Sequence, residues 1–169
     1  MAYDKVIPIR RRLDHCVSYV LNPEKTDLGR VLEYIGNAGK TIAPDGKAVL
    51  ETAINCQLDT ACREMQATKR RWGKTGGVLG YHLVHSYAPG EVTPEQAHEI
   101  GVEFARQLLQ GKYEAVVATH LDHAHIHNHV LFNSVSCVDG KKYRDSFGAL
   151  NAGVLDNLYG LEEIIQYDA

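Results

Sequence analysis

Glu114-Ala115-Val116-Val117-Ala118-Thr119-His120-Leu121-Asp122-His123-Ala124-His125-Ile126-His127-Asn128-His129-Val130-Leu131-Phe132-Asn133 joins two β-forming runs through a segment crowded with histidine. Residues 113–121 and 125–136 read as adjacent strands separated by a few residues. On a strand, residues two apart share a face, so His125, His127 and His129 point together while Ile126, Asn128 and Val130 point away. If the chain turns back after Leu121, His120 faces that row from the neighbouring strand. Imidazole is the commonest neutral metal ligand, and no structural need of a folded domain calls for so many together. Three protein ligands would leave coordination positions open, as catalytic sites require, and a phosphate oxygen could take one of them. Asp122 could orient a ligand histidine or accept a proton. Spacing alone leaves two ligand sets: His120 with His125 and His127, or His120 with His127 and His129.

The flanking sequence supplies the rest of a single domain. Residues 5–9 read as a first strand, and Leu13, Cys16, Val17, Val20 and Leu21 have the spacing of one helical face, with Tyr19 off that face. Leu28, Val31, Leu32 and Ile35 repeat the pattern with Tyr34 off it. Tyr19 and Tyr34 therefore begin two matching Y-x-x-N-x-x-K-T units, the first ending in Lys25-Thr26 and the second in Lys40-Thr41. A helix is expected over 58–71, with Leu58, Ala61, Cys62 and Met65 inward, until Gly73, Gly76 and Gly77 break it. Over 78–87, alternation puts His82 with Val78, Gly80, Val84 and Ser86, and His85 with Leu79, Tyr81, Leu83 and Tyr87. Thr93, Pro94 and Gln96 have the pattern of a capping box opening a helix that buries Ala97, Ile100, Phe104, Ala105 and Leu108 and ends at Gly111. Val138-Asp139-Gly140-Lys141 reads as a hairpin turn into a short strand ending near Tyr143, and the apolar spacing from Leu150 to Ile165 as one or two helices.

At 169 residues with 44% hydrophobic content, the chain is long enough for one core and too short for two comfortable ones. A net charge of -3 excludes a uniformly basic surface, so nucleic-acid binding would rest on local clusters. Three exist: Arg10-Arg11-Arg12; Lys69-Arg70-Arg71 with Trp72 and Lys74; and Lys141-Lys142 with Arg144. Each taken singly also reads as a solvated face, and Trp72 as packing on the core as readily as stacking on a base. Cys16, Cys56, Cys62 and Cys137 form no C-x-x-C pair, which suits reduced thiols and a cytoplasmic location. No apolar run approaches the about 20 residues of a membrane span, so no membrane insertion is expected.

The segment from Thr119 to Asn133 resembles the metal motif of conjugative relaxases, the mobilisation nucleases of the HUH endonuclease superfamily, in the class with an N-terminal tyrosine. The motif H-x-D-x-x-x-x-H-x-H, followed by three apolar residues and Asn, fits His120, Asp122, His127, His129 and Asn133. Tyr19-Val20-Leu21-Asn22-Pro23-Glu24-Lys25-Thr26 is similar to the family's nucleophile motif, and the stretch from Tyr81 to Glu91 to its middle motif. In two places the chain departs from the pattern: the stretch between Thr26 and Asn55 is longer, and His85 stands where an amide is expected.

The resemblance implies an α+β fold with a central antiparallel sheet of about five strands, helices packed on it and the histidine hairpin at its centre. It implies a divalent metal ion (Mn, Mg or Zn) on His120, His127 and His129, with His125 as a substitute ligand, and Tyr19 and Asp122 as catalytic residues. Lys25, Arg70, Arg71 and Lys74 are the expected DNA contacts, and His82 and Asn133 expected supports of the site. The implied activity is nicking of one strand at an origin of transfer by tyrosine transesterification, followed by rejoining, in conjugative mobilisation of a plasmid or integrative element. A phenol ionises near pH 10 in water, so such a tyrosine needs a nearby cation or base. Implied partners are single-stranded or locally melted origin DNA, accessory origin-binding proteins and a coupling protein. The nuclease domain is expected over residues 1–169, alone or as the start of a longer protein, in the bacterial cytoplasm, with carriage into a recipient cell as an extension. Alternatives are a replication initiator or transposase of the same superfamily, a metal-stabilised DNA-binding module without cleavage, and a hydrolytic nuclease using water.

Overall fold

β-Branched runs and amphipathic helices segregate into one sheet with helices on both faces. The computed structural model describes residues 3–21, 50–121, 125–144 and 165–167. In chain order the elements are β1 (Tyr3–Ile9), α1 (Leu13–Val20), β2 (Glu51–Ile54), a 3-10 turn (Leu58–Thr60) leading into α2 (Ala61–Arg71), β3 (Gly80–Ser86), α3 (Pro94–Leu109), β4 (Ala115–His120), β5 (His127–Asn133) and β6 (Ile165–Tyr167). The sheet order is β2-β4-β5-β3-β1-β6. Its first five strands pair antiparallel, as expected from the sequence, and β6 adds to β1 in parallel.

Strand alternation sorts the core into two layers. Leu83, Val117, Val130 and Phe132 face α3, meeting Phe104, Ala105 and Leu108. Val116, Ala118 and Leu131 face the other way, meeting Leu13, Val17 and Val20 of α1 with Ala61 and Met65 of α2. Each aliphatic side chain buried this way contributes about 1.5–3 kcal/mol, so the apolar face of α1 holds that short helix on the sheet. Tyr19, off that face, is 45% exposed. At the start of α3, Thr93 Oγ1 accepts from the Gln96 backbone N–H and Gln96 Oε1 accepts from Thr93 N, the expected capping box. The helix stops at Gln110, itself left-handed, one residue before Gly111.

Two parts of the sequence reading are corrected. Residues 51–54 form an edge strand that the sequence did not suggest, since its four residues are all half-buried and show no alternation. Ile165, expected on a helix, lies in β6, because the outer edge of β1 offers backbone groups that a short strand can pair with. The expected second helix around Leu28 to Ile35, and most of the segment after Ser146, lie outside the described residues.

Trp72, just past α2, lies against the hairpin rather than in the core. A Cβ added to Gly140 would come 2.2 Å from the Trp72 ring, and Gly140 has φ +70°. Gly140→Ala is therefore expected to cost about 3 kcal/mol, from left-handed strain and forced repacking together. Urea unfolding would read this as a lower midpoint at unchanged slope.

Candidate active site

The strand register builds the histidine cluster. His120 sits directly opposite His127, and His129 lies opposite Ala118 on one side and Val84 on the other. With side chains alternating, His120, His127, His129 and His82 of β3 all emerge on the face that carries α1. His120 and His129 are buried and their ring centroids lie 3.8 Å apart. His127 is half-buried, 6.4 Å from His129, and His125 is exposed, 6.3 Å from His127.

Hydrogen bonds fix two of these rings from behind. His120 Nε2 lies 2.9 Å from the Val20 carbonyl. A carbonyl only accepts, so this nitrogen carries the proton and the lone pair of the neutral ring is on Nδ1. His82 Nε2 lies 2.8 Å from His129 Nδ1. Burial, with His120 nearby, pushes the His82 pKa down to about 4, so His82 is a neutral partner to His129 at physiological pH.

The last turn of α1 carries Tyr19 to the same place. Its ring meets His120, His129 and His82 edge-on, with centroids at 5.6, 5.9 and 6.5 Å. The burial of Val17 and Val20 on either side anchors this turn, and the Val20 carbonyl ties it to His120. One exposed phenol thus stands at the rim of a mostly buried imidazole cluster. Among the described residues, no three His, Cys, Asp or Glu side chains form a ready-made coordination sphere. Asp122, Lys25 and Tyr34 lie outside the described residues.

The other expected site residues go elsewhere. Asn133, at the far end of β5, is buried between the Met65 carbonyl, 3.1 Å from its Nδ2, the Glu114 carboxylate, also 3.1 Å away, and Lys69, which donates to its Oδ1. Lys69 also donates to the Leu79 carbonyl at 2.8 Å. Arg70, Arg71 and Lys74 follow at that same end, opposite the histidines, and Lys74 donates to the Gly140 carbonyl. Sequence reasoning grouped Lys69 with exposed cations; it is only 3% exposed, because α2 turns it towards β5. Burial lowers its pKa to about 8, against an opposing pull from Glu114. The unfolded chain therefore binds more protons between about pH 8 and pH 10.4, and Lys69's contribution to stability rises with pH across that window. Unfolding free energies of the wild type and Lys69→Met, compared from pH 7.5 to 10, are expected to shift in favour of the wild type as pH increases.

A buried polar network on the reverse face was not legible in the sequence. Asn128, between His127 and His129, accepts from Thr119 Oγ1 at 2.8 Å and donates to Tyr87 Oη at 2.9 Å and the Ala97 carbonyl at 2.7 Å. His98 bridges Thr119 at 3.0 Å and Thr52 at 2.7 Å. The strands bearing the histidines are thus tied to α3 behind them and to β2 at the sheet edge beside β4. His85 is buried on this reverse face, its ring 4.6 Å from that of Tyr87.

All four cysteines are free thiols. No helix among the described residues is long and apolar enough to cross a membrane.

Known proteins share much of this sequence. Residues 34–154 match the family described as relaxase, MobA/VirD2-like, nuclease domain, a stretch that contains His82, His120, His127 and His129. The chain is 37% identical over 105 residues to Protein rlx of Staphylococcus aureus, covering 62% of this chain and 32% of that protein. It is 33% identical over 138 residues to the group II intron-interrupted relaxase LtrB of Lactococcus lactis subsp. cremoris, covering 78% of this chain and 24% of that protein. The matched regions span about a quarter to a third of these relatives' lengths. With most of its length matched and the shared stretch carrying the histidine cluster, the chain belongs to the MobA/VirD2-like relaxase nuclease-domain family.

Proposed function

We propose that this domain nicks one strand of origin-of-transfer DNA through Tyr19, forming a covalent DNA adduct that can be reversed. The observation that carries this reading is the placement of Tyr19: an exposed phenol held at the rim of His82, His120 and His129 by a buried helical turn. In the reaction, Tyr19 Oη loses its proton and forms a bond to the scissile phosphorus. The bond from phosphorus to the 3′ oxygen breaks, and that oxygen takes up a proton. One phosphodiester is exchanged for another, so the free 3′ hydroxyl can attack the 5′-phosphotyrosine and restore the strand. Holding the phosphate beside the phenol makes the attack effectively unimolecular, which can lower the barrier by several kcal/mol.

A divalent metal ion on His120, His127 and His129 belongs to this reading: the three side chains do not stand as a ready-made coordination sphere and would have to adjust to close on the ion, and the support is the way two of the rings are held. Ligand histidines commonly donate their second ring nitrogen to a carbonyl or another acceptor, which fixes the tautomer. His120 does this through Nε2 to Val20, and the contact of His129 Nδ1 with His82 has the same form when His129 is the donor. When bound, such an ion would polarise the scissile phosphate and offset charge developing in the displacement. His125, exposed beyond the strand end, is the substitute ligand, and Asp122 the residue to orient a ligand or accept a proton. Lys25, Arg70, Arg71 and Lys74 are proposed to hold DNA phosphates. Accessory origin-binding proteins and a coupling protein belong to the same reading, as does a cytoplasmic location.

The test is intact-protein mass after incubation with Mn²⁺ and single-stranded oligonucleotides from the origin region of the parent element. A mass increase equal to the 5′-phosphorylated cleavage product less one water is expected. Cleavage without an adduct would assign the attack to water and overturn the reading, and binding without cleavage would leave a DNA-binding module.

A further inference from the structure

We propose that the end of the sheet opposite the histidines holds a second, separate DNA-backbone site, which extends the grip on the nicked strand beyond the scissile phosphate. A cavity of about 550 Å³ there is lined by Lys74, Lys112, Lys141, Lys142 and Arg144, with Asp139 as the carboxylate among them. Tyr113 forms part of its wall. In a chain of net charge -3, five cations around one concavity make a local field of the sign that attracts a polyanion.

The walls are built rather than loose. Lys74 donates to the Gly140 carbonyl, and Lys142 Nζ donates to the Gly76 carbonyl at 2.7 Å, so the hairpin and the loop after α2 are cross-tied by their own cations. Trp72 packs on Gly140, and Arg71 lies 5.5 Å over the Trp72 ring. The Cys137 backbone N–H donates to the Lys112 carbonyl at 2.9 Å, fixing the third wall. Asp139 is occupied locally: its carboxylate accepts from Lys141 N at 3.0 Å, and that bond, with the neighbouring lysines, holds its pKa low. Lys112, Lys141 and Arg144 remain exposed at the rim, where they can meet phosphates without a loss of internal ties.

Spacing makes this a subsite apart from the chemistry. Ala115 and His120 bracket β4, a length of roughly 17 Å at about 3.4 Å per residue, and Lys112 lies beyond that. Arg70, Arg71 and Lys74 are at the same end, so the cations expected to bind DNA gather away from the histidines. A strand engaged at both ends would cover several nucleotides beyond the nick. This inference rests on the DNA-nicking reading.

The test uses two oligonucleotides sharing the nick site, one of about a dozen nucleotides and one extended on both sides by about twenty, with the triple variant Lys112→Gln, Lys141→Gln, Arg144→Gln. Lys74 and Lys142 are left in place because they brace the loops. The variant is expected to bind the long oligonucleotide roughly tenfold more weakly, with a salt slope shallower by about 2, as three lost contacts on a single strand require. Its affinity for the short oligonucleotide, its adduct yield on that substrate and its melting midpoint should match the wild type. Equal weakening on both lengths, or no weakening on either, would overturn the second site while leaving the nicking reading intact. A wild-type protein that binds both lengths but forms no adduct would overturn nicking and leave the subsite standing, and one that binds neither would overturn both.

Discussion

Tyr19→Phe is expected to abolish the covalent DNA product while leaving DNA affinity and the fold close to the wild type. The substitution removes one hydroxyl from a side chain that is 45% exposed, so its effect on stability should fall within about 0.5 kcal/mol. Its effect on the chemistry should be far larger, because the ring that remains has no nucleophilic oxygen. Loss of a nucleophile in a covalent mechanism typically costs on the order of 10⁴-fold or more. Intact mass and denaturing electrophoresis of the oligonucleotide would be read together. Tyr34→Phe, run in parallel, is expected to retain the adduct, and retention of the adduct in Tyr19→Phe with its loss in Tyr34→Phe would move the nucleophile to the second unit. The contrast works because Tyr19 is positioned by its neighbours: Leu13, Val17 and Val20 hold α1 down, and none of them is altered.

Asn128→Ala is expected to be the most destabilising single change around the site, at about 4 kcal/mol. Asn128 is 1% exposed and uses both ends of its amide, accepting from Thr119 and donating to Tyr87 and Ala97. Truncation takes a partner from each of three buried groups, at about 1–3 kcal/mol per buried group left unsatisfied, and opens a small cavity as well. Set against the roughly 5–15 kcal/mol that holds a typical domain together, this is a large fraction. α3 approaches so closely here that a Cβ on Gly101 would come 2.8 Å from the Asn128 amide, which leaves little room for a substitute side chain. Chemical denaturation would measure the effect, and a loss under about 1 kcal/mol would show that the network relaxes around the gap. Asn128→Asp keeps the shape but turns an oxygen towards the Ala97 carbonyl, so it should not rescue the loss.

What lay in the sequence was local. The alternation of His125, His127 and His129, the β-forming runs on either side and the Thr93–Gln96 box are properties of contiguous residues, and backbone periodicity translates them directly into faces and caps. Four of the five antiparallel strands, β1, β3, β4 and β5, and the family resemblance follow from the same runs, whereas β2 carries no such pattern. The sequence also left Tyr19 off its helix's apolar face, which the structure retains. Only the tertiary structure decided which distant groups meet. Val20 and His120 are 100 residues apart in sequence, yet their hydrogen bond places Tyr19 over the imidazoles. The burial of Lys69 against Asn133, the ties of Asn128 behind the histidines and the collection of Arg70, Arg71, Lys74 and Lys112 at the opposite end are likewise products of register and helix docking. A side chain's type and spacing specify what it can do, but its partners come from packing between elements, and no local pattern encodes those distances.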